Sequence, residues 1–353
     1  MSVPTTIFID TCILDEQNYN FSSKAISAFL EAVKGPKMVL LLPDPTRREI
    51  ERHIEKRSQE AVKMLEEAER KAPFVKKWKA WPVRIANLGL GDELHQMVND
   101  EWCGFLRHFE VENLGYDGVS VEEVMNWYDN QRAPFGNKRK RKEFPDAFAL
   151  ATLLAYTKSK GVSVAVVSGD GDFERACRSY DELLYFPSLS AFTEALLSPD
   201  HRVAQAKKVI ESDPTMIIEK IKEEFPSLRF YHEEDYEADI EDIEVDNVRI
   251  GEVRIIHMEG DVVTIEVDAT VNYSAHVRAD DHTSASVDSS EDWYMVWREY
   301  RGTVQDQAEI SAIAECLVSR DWMKVEEVET IEIQGGNIYI AALPDETFMK
   351  GED

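Results

Sequence analysis

The sequence is short of positive charge. Its 353 residues hold 40 Lys and Arg against 68 Asp and Glu, for a formal net charge of −28. Such a chain repels nucleic acid at long range, so any grip on phosphate must come from a local concentration of cations. Cysteine is scarce as well. Cys12, Cys103, Cys177 and Cys316 stand far apart, with no CxxC and no Cys/His spacing of the kind that holds zinc. Free thiols in a reducing cytoplasm are the expectation. No window approaches ~18 uninterrupted apolar residues, and no basic region precedes an apolar run at the N-terminus. Neither a membrane span nor a secretion signal is expected. Motifs for acyl chemistry are missing too. "SGDGDF" is no phosphate loop, since it lacks Lys and the required Gly spacing.

What is present is a hydrophobic fraction of 43%, enough for two ordinary cores. Residues 1–200 carry 26 Lys and Arg against 31 Asp and Glu, a net of −5; residues 201–353 carry 14 against 37, a net of −23. This shift places a domain boundary near residue 200.

Within residues 1–200, "TTIFI" (5–9), "KMVLLL" (37–42), "VSVAVVS" (162–168) and "LLYF" (183–186) read as short buried strands. Segments with helical spacing separate them. One helix is predicted over 23–34, stopped by Gly35-Pro36. A long amphipathic one opens at "PDPTRREIERH", with Asp44 as its N-cap and Pro45 in its first turn. An apolar helix is predicted from Pro145 to Lys160, closed by Gly161. Continuously apolar strands alternating with helices point to an α/β fold, a parallel sheet flanked by helices. Residues 74–135 read as a helical insertion whose Trp78, Trp81, Trp102 and Trp127 are either core residues, the more usual case in an amphipathic insertion, or platforms for stacked bases. Residues 201–224 read as a linking helix. Beyond them, alternating apolar and polar residues with turns at 259–261 and 335–337 predict hairpins, with a helix over 306–318. The second half is thus expected to be a smaller, acidic α+β domain.

Four acids stand out by position. Asp10 ends the first strand, Glu49 lies early in the helix after the second, Asp146 opens the apolar helix, and Asp170 follows the third strand. In a parallel sheet these places share the C-terminal edge, where sites form. Gathering carboxylates is costly, at roughly 4 kcal/mol for two charges 4 Å apart at an effective dielectric of 20. Such a cluster perturbs its own pKa values or collects cations. Hard oxygen ligands select Mg²⁺ or Mn²⁺ over zinc, and these suit phosphodiester hydrolysis.

The set, in order, resembles the PIN domain, a family of metal-dependent nucleases. "FIDTCIL" is similar to its first motif, "LLPDPTRREIERH" to its second, "FPDAFALATL" to its third and "VVSGDGDF" to its fourth. The resemblance covers about residues 5–200. It implies that Asp10, Glu49, Asp146 and Asp170 are catalytic metal-binding acids, that Asp172 is an accessory metal-binding acid, and that Thr11 and Ser168 occupy the small hydroxyl positions. It implies an endoribonuclease with a toxin-like or defence role.

Lys138, Arg139, Lys140, Arg141 and Lys142 run consecutively before Asp146, as a solvated loop or a phosphate-binding strip. Arg47 and Arg48 flank Glu49 and are further candidates for RNA backbone contact. His53, four residues after Glu49, shares its helix face, as a supporting residue or a structural hydrogen-bonding one. Two other readings stand beside the endoribonuclease: a silent PIN-like scaffold or partner-binding module, and a structure-specific DNA nuclease. RNA is the expected partner. A protein partner recruited by the acidic domain and a homo-oligomer are further expectations.

Overall fold

The computed structural model describes residues 3–35, 37–77, 90–135, 143–233, 238–288, 294–341, 344 and 347–351. The chain folds as two compact units, Met1–Leu196 and Leu197–Asp353.

The first unit runs β1 (Thr6–Ile9), α1 (Thr11–Glu16), α2 (Lys24–Val33), β2 (Val39–Pro43), α3 (Asp44–Lys71), α4 (Leu90–Leu106), β3 (Glu110–Leu114), α5 (Val121–Asp129), α6 (Phe144–Lys160), β4 (Val164–Val167), α7 (Gly171–Cys177), β5 (Leu183–Phe186) and α8 (Leu189–Leu197). The strands form one parallel sheet in the order β3-β2-β1-β4-β5. Successive strand residues face opposite sides, and here both sides are covered. Ile7, Ile9, Leu40, Leu42, Ala165 and Val167 join one core with α2 and α8. Phe8, Leu41, Val164 and Val166 join the other with α6 and α7. The doubly buried strands therefore read as unbroken apolar runs.

Two local readings change. The expected helical insertion contains β3, which pairs with β2 from Val39↔Glu110 to Pro43↔Leu114 and forms one edge of the sheet. "EVENL" is polar at three of its five positions and none of them is fully buried, because an edge strand is only half covered. Trp102 and Trp127 are buried core residues, whereas Trp78 and Trp81 lie outside the described residues. Asp44 is not the cap of α3. Pro43 takes the N-cap position and Asp44 is the first helical residue, from which its carboxylate holds Arg47 and Arg48 at 2.7 and 2.8 Å. α6 ends as the sequence predicts, at Gly161 with φ +66°, a conformation that a side chain would strain.

The second unit comprises α9 (His201–Ser212), α10 (Thr215–Glu224), β6 (Arg229–His232), β7 (Asp239–Glu259), β8 (Val262–Asp288), β9 (Tyr294–Val318), β10 (Val325–Ile333), β11 (Asn337–Ile340) and β12 (Thr347–Gly351). An antiparallel sheet in the order β10-β9-β8-β7, with β12 also on β9, packs against both helices. The linking helix is in fact two helices, broken at Asp213-Pro214, where Pro214 supplies no backbone donor.

The expected helix over 306–318 is strand. Its Ala and Glu residues favour helix locally. However, Ile310, Ala312, Ala314, Cys316 and Val318 fall at period two and are buried, and the segment pairs with β8 along its length. Burial and pairing outweigh propensity differences of a few tenths of a kcal/mol per residue. No helix among the described residues is long and apolar enough to cross a membrane.

Candidate active site

In the sheet order, the chain leaves β1 for β2 on one side and reaches β4 on the other. The crevice beyond the C-terminal ends of β1 and β4 is the switch point where open α/β sheets place their sites. Asp10 and Asp170 both lie there.

Asp10 is 8% exposed and caps α1, accepting from the Thr11 backbone N–H at 2.8 Å. Its Oδ2 accepts from Ser168 Oγ at 2.7 Å and from Cys12 Sγ at 3.0 Å. Burial pushes its pKa up, opposed by these three bonds and reinforced by Glu49. Fully buried Ser168 accepts in turn from the Asp170 N–H at 3.0 Å, so one hydroxyl ties the ends of β1 and β4 together. Asp170 caps α7 by accepting from the Asp172 N–H at 2.7 Å. Thr11 Oγ1 donates to Glu49 Oε2 at 3.1 Å, which orients the acid of α3.

Asp146 enters from the first turn of α6. Burial is the largest cause of its pKa rise to about 8, followed by the charges of Asp10, Glu49, Asp170 and Glu143. Four acids remote in sequence therefore share one electrostatic neighbourhood. Each sits where a strand ends or a helix begins, so short loops and helix N-termini hold the carboxylates that the sheet brings together.

Asp172 sits differently. It is buried, and its carboxylate is held by Arg175 one turn along α7. His53 is pinned by Asp15, with Nδ1 at 2.9 Å from Asp15 Oδ2, while Nε2 lies 3.9 Å from Glu49 Oε1. Arg47 bridges Asp44 and Glu51, both at 2.7 Å, so its guanidinium is engaged. Arg48 is 66% exposed. Lys138, Arg139, Lys140, Arg141 and Lys142 lie outside the described residues.

Several residues of the site escape a motif reading. Cys12 donates to Asp10 and accepts from the Gly169 N–H at 3.3 Å; burial and the Asp10 charge push its thiol pKa up. The alternation of Asp10, Cys12 and the α1 turn was visible, but an isolated thiol carries no signature of its partner. Glu143, 6% exposed, adds charge beside Asp146. Tyr19 stacks edge-to-face on His53 with centroids 6.4 Å apart. Asp15, one turn beyond Thr11 on α1, was findable from helical spacing alone.

Residues 7–173 match the sequence model of the PIN domain family. The first unit is a PIN domain. PIN domains are generally nucleases and typically use divalent metals. Comparison with curated proteins and with solved structures finds no match. The donor chemistry of this PIN domain fits a divalent cation: its clustered acids are all hard oxygen donors, and their mutual repulsion is what a cation would relieve. Among the described residues, no three His, Cys, Asp or Glu side chains close into a ready-made cage.

Proposed function

We propose that the PIN domain is an endoribonuclease that hydrolyses RNA phosphodiester bonds with Mg²⁺ or Mn²⁺. The observation that carries this reading is the elevated Asp146, whose burial and four acidic neighbours mark a site where negative charge is concentrated against its own repulsion. When bound, the ion would supply a water nucleophile at neutral pH and offset charge on the attacked phosphate.

The protein's own residues prepare that chemistry. Asp10, Asp146 and Asp170 would hold the ion. Asp10 is fixed in one orientation by Thr11, Cys12 and Ser168, which lowers the cost of organising the site at the moment of reaction. Glu49, oriented by Thr11, would bind the ion or orient the attacking water, and His53 stands behind it on the Asp15 carboxylate. Arg48 and the 138–142 cations would meet substrate phosphates. The choice of RNA over DNA rests on family resemblance.

The test is cleavage. Wild-type protein with labelled RNA and Mn²⁺ should yield internal cuts that disappear in EDTA, with DNA cut more slowly. No cutting of either strand type by protein that binds Mn²⁺ would sink the reading, and faster cutting of DNA would replace RNA by DNA as substrate.

Ser168→Ala removes the hydroxyl shared by Asp10 and Asp170. As a residue that positions metal-binding groups, it is expected to cost about 10- to 100-fold in cleavage, with about 1–2 kcal/mol of stability from the unpaired Asp170 N–H. The loss should fall on kcat, and raising Mn²⁺ should recover part of it. An unchanged rate would show that Asp10 holds its orientation without Ser168.

A further inference from the structure

An open groove of about 910 Å³ lies between α3, α4 and the start of α6. Helical spacing gives α3 two working faces. Glu49 and His53, four residues apart, meet Thr11 and Asp15. Arg48 and Arg52, also four apart, border the groove on the adjoining face. Across from them stand Tyr116 and Phe148, whose rings meet at 89° with centroids 5.8 Å apart. Tyr116 is 48% exposed. From α4 come Asn99 and His95, and the buried Nδ1 of His95 has no hydrogen-bond partner among the described residues. That atom faces away from solvent, so His95 meets a ligand through the part of its ring that lines the groove.

The lining selects the ligand. Glu51 and Glu55 also border the groove, and the Arg48 guanidinium is partly neutralised by Asp44 at 2.8 Å. These acids disfavour a bare phosphate. Aromatic surface, a guanidinium plane from exposed Arg52 and the polar edges of His95 and Asn99 suit a flat, uncharged ring rich in donors and acceptors, with its phosphate at the arginine rim. A nucleobase has that chemistry. Double-stranded nucleic acid does not expose a base this way, so the strand must be unpaired there.

We propose that this groove is a base-binding subsite that takes one unpaired nucleobase of the substrate strand. It adds to the nuclease reading, on which it rests. Its elements tie it to the acids: Arg48 adjoins Glu49 on α3, and Phe148 lies two residues beyond Asp146 on α6. Stacking on Tyr116 and Phe148 supplies affinity for any base, whereas His95 and Asn99 supply preference among bases.

The experiment uses the full-length Asp10→Asn protein, which keeps the groove, titrated with short fluorescein-labelled oligo(A), oligo(U), oligo(C), oligo(G) and an abasic oligomer, and followed by anisotropy. One homopolymer is expected to bind about fivefold or more tighter than the others, and the abasic strand about tenfold weaker than that best one. Adding Tyr116→Ala should cost about tenfold with the best homopolymer, and adding Asn99→Ala should level the preference. Asn99→Ala changes a half-buried helical position to the best helix former, so the measurement survives if Tyr116→Ala misfolds. Binding by both variants equal to that of the parent, across all homopolymers, would overturn the subsite while leaving the nuclease reading intact if wild-type protein cuts RNA. No RNA binding by Asp10→Asn together with no cutting by wild type would overturn both.

Discussion

Asp146→Asn is expected to abolish cleavage and at the same time to stabilise the metal-free PIN domain at alkaline pH. Loss of one metal-binding acid should cost about 10³-fold or more in rate, about 4 kcal/mol of transition-state stabilisation. The stability effect follows from the pKa. An Asp that ordinarily ionises at 3.8 keeps its proton here to about 8. Between those values the unfolded chain has already released a proton that the native state still holds. Stability therefore falls as pH rises through that window, and the loss is complete above it. One pKa unit corresponds to ~1.4 kcal/mol, but water at a partly exposed carboxylate screens most of the burden and leaves about 2 kcal/mol. For a unit of this size that is roughly 4–8 °C in Tm.

Asn cannot carry the charge, so the variant should lack this decline. Melting curves in EDTA at pH 5 and pH 8.5 check it: the gap between variant and wild type should open at the higher pH. Added Mn²⁺ should raise the wild-type Tm at pH 8.5 more than the variant's. A variant no more stable than wild type at pH 8.5 would show that the four acids do not burden one another. Asp10→Asn should share the loss of cleavage, and retention of activity by either variant would remove these acids from the chemistry.

Arg254→Ala is expected to destabilise the second unit by about 3 kcal/mol. Arg254, 9% exposed in its side chain, meets Glu252 at 2.6 Å, Asp268 at 2.9 Å and Glu266 at 3.5 Å, so one cation answers three acids across β7 and β8. Glu252 and Asp268 are 59% and 43% exposed and can turn to water, but Glu266 is only 13% exposed. Removing the cation takes a positive charge from beside that carboxylate, in a half of the chain with a net of −23. Truncating one member of a buried pair costs more than the pair contributes, because the remaining charge is stranded. Replacing Arg254 and Glu266 together by Leu should therefore recover most of the loss. Urea unfolding of the single and double variants reads this directly. A double variant as unstable as Arg254→Ala would place the effect in lost packing of the arginine stem rather than in charge.

The layered core of the PIN domain was legible because its strands obey a simple rule. Residues such as Ile7 and Phe8 are buried on opposite faces, so unbroken apolar runs mark a sheet covered twice. The acids were legible because each sits at a junction that local pattern defines. The second half of β9 was not legible, since Ile310, Ile313, Ala314 and Leu317 also stand at the i, i+3, i+4, i+7 spacing of a helix face until β8 is in place. β3 was hidden for a related reason: a polar edge strand has half the hydrophobic signal of a central one. Asp44 misled because the residue type favours an N-cap, whereas the backbone entered the helix one residue earlier, at Pro43.

The sequence alone determined where the first strands and helices lie, which acids end them and how unevenly charge is divided along the chain, because these properties depend on near neighbours. It could not decide which side chains face one another. Ser168 bonded to Asp10 across 158 residues, Thr11 to Glu49 across 38, and Arg48 turned toward a groove while Glu49 turns toward the acids, exist only once strand order and register are set. The rise of Asp146 to about 8 has the same origin. No residue carries such a shift by itself; it arises when folding removes water and brings like charges together.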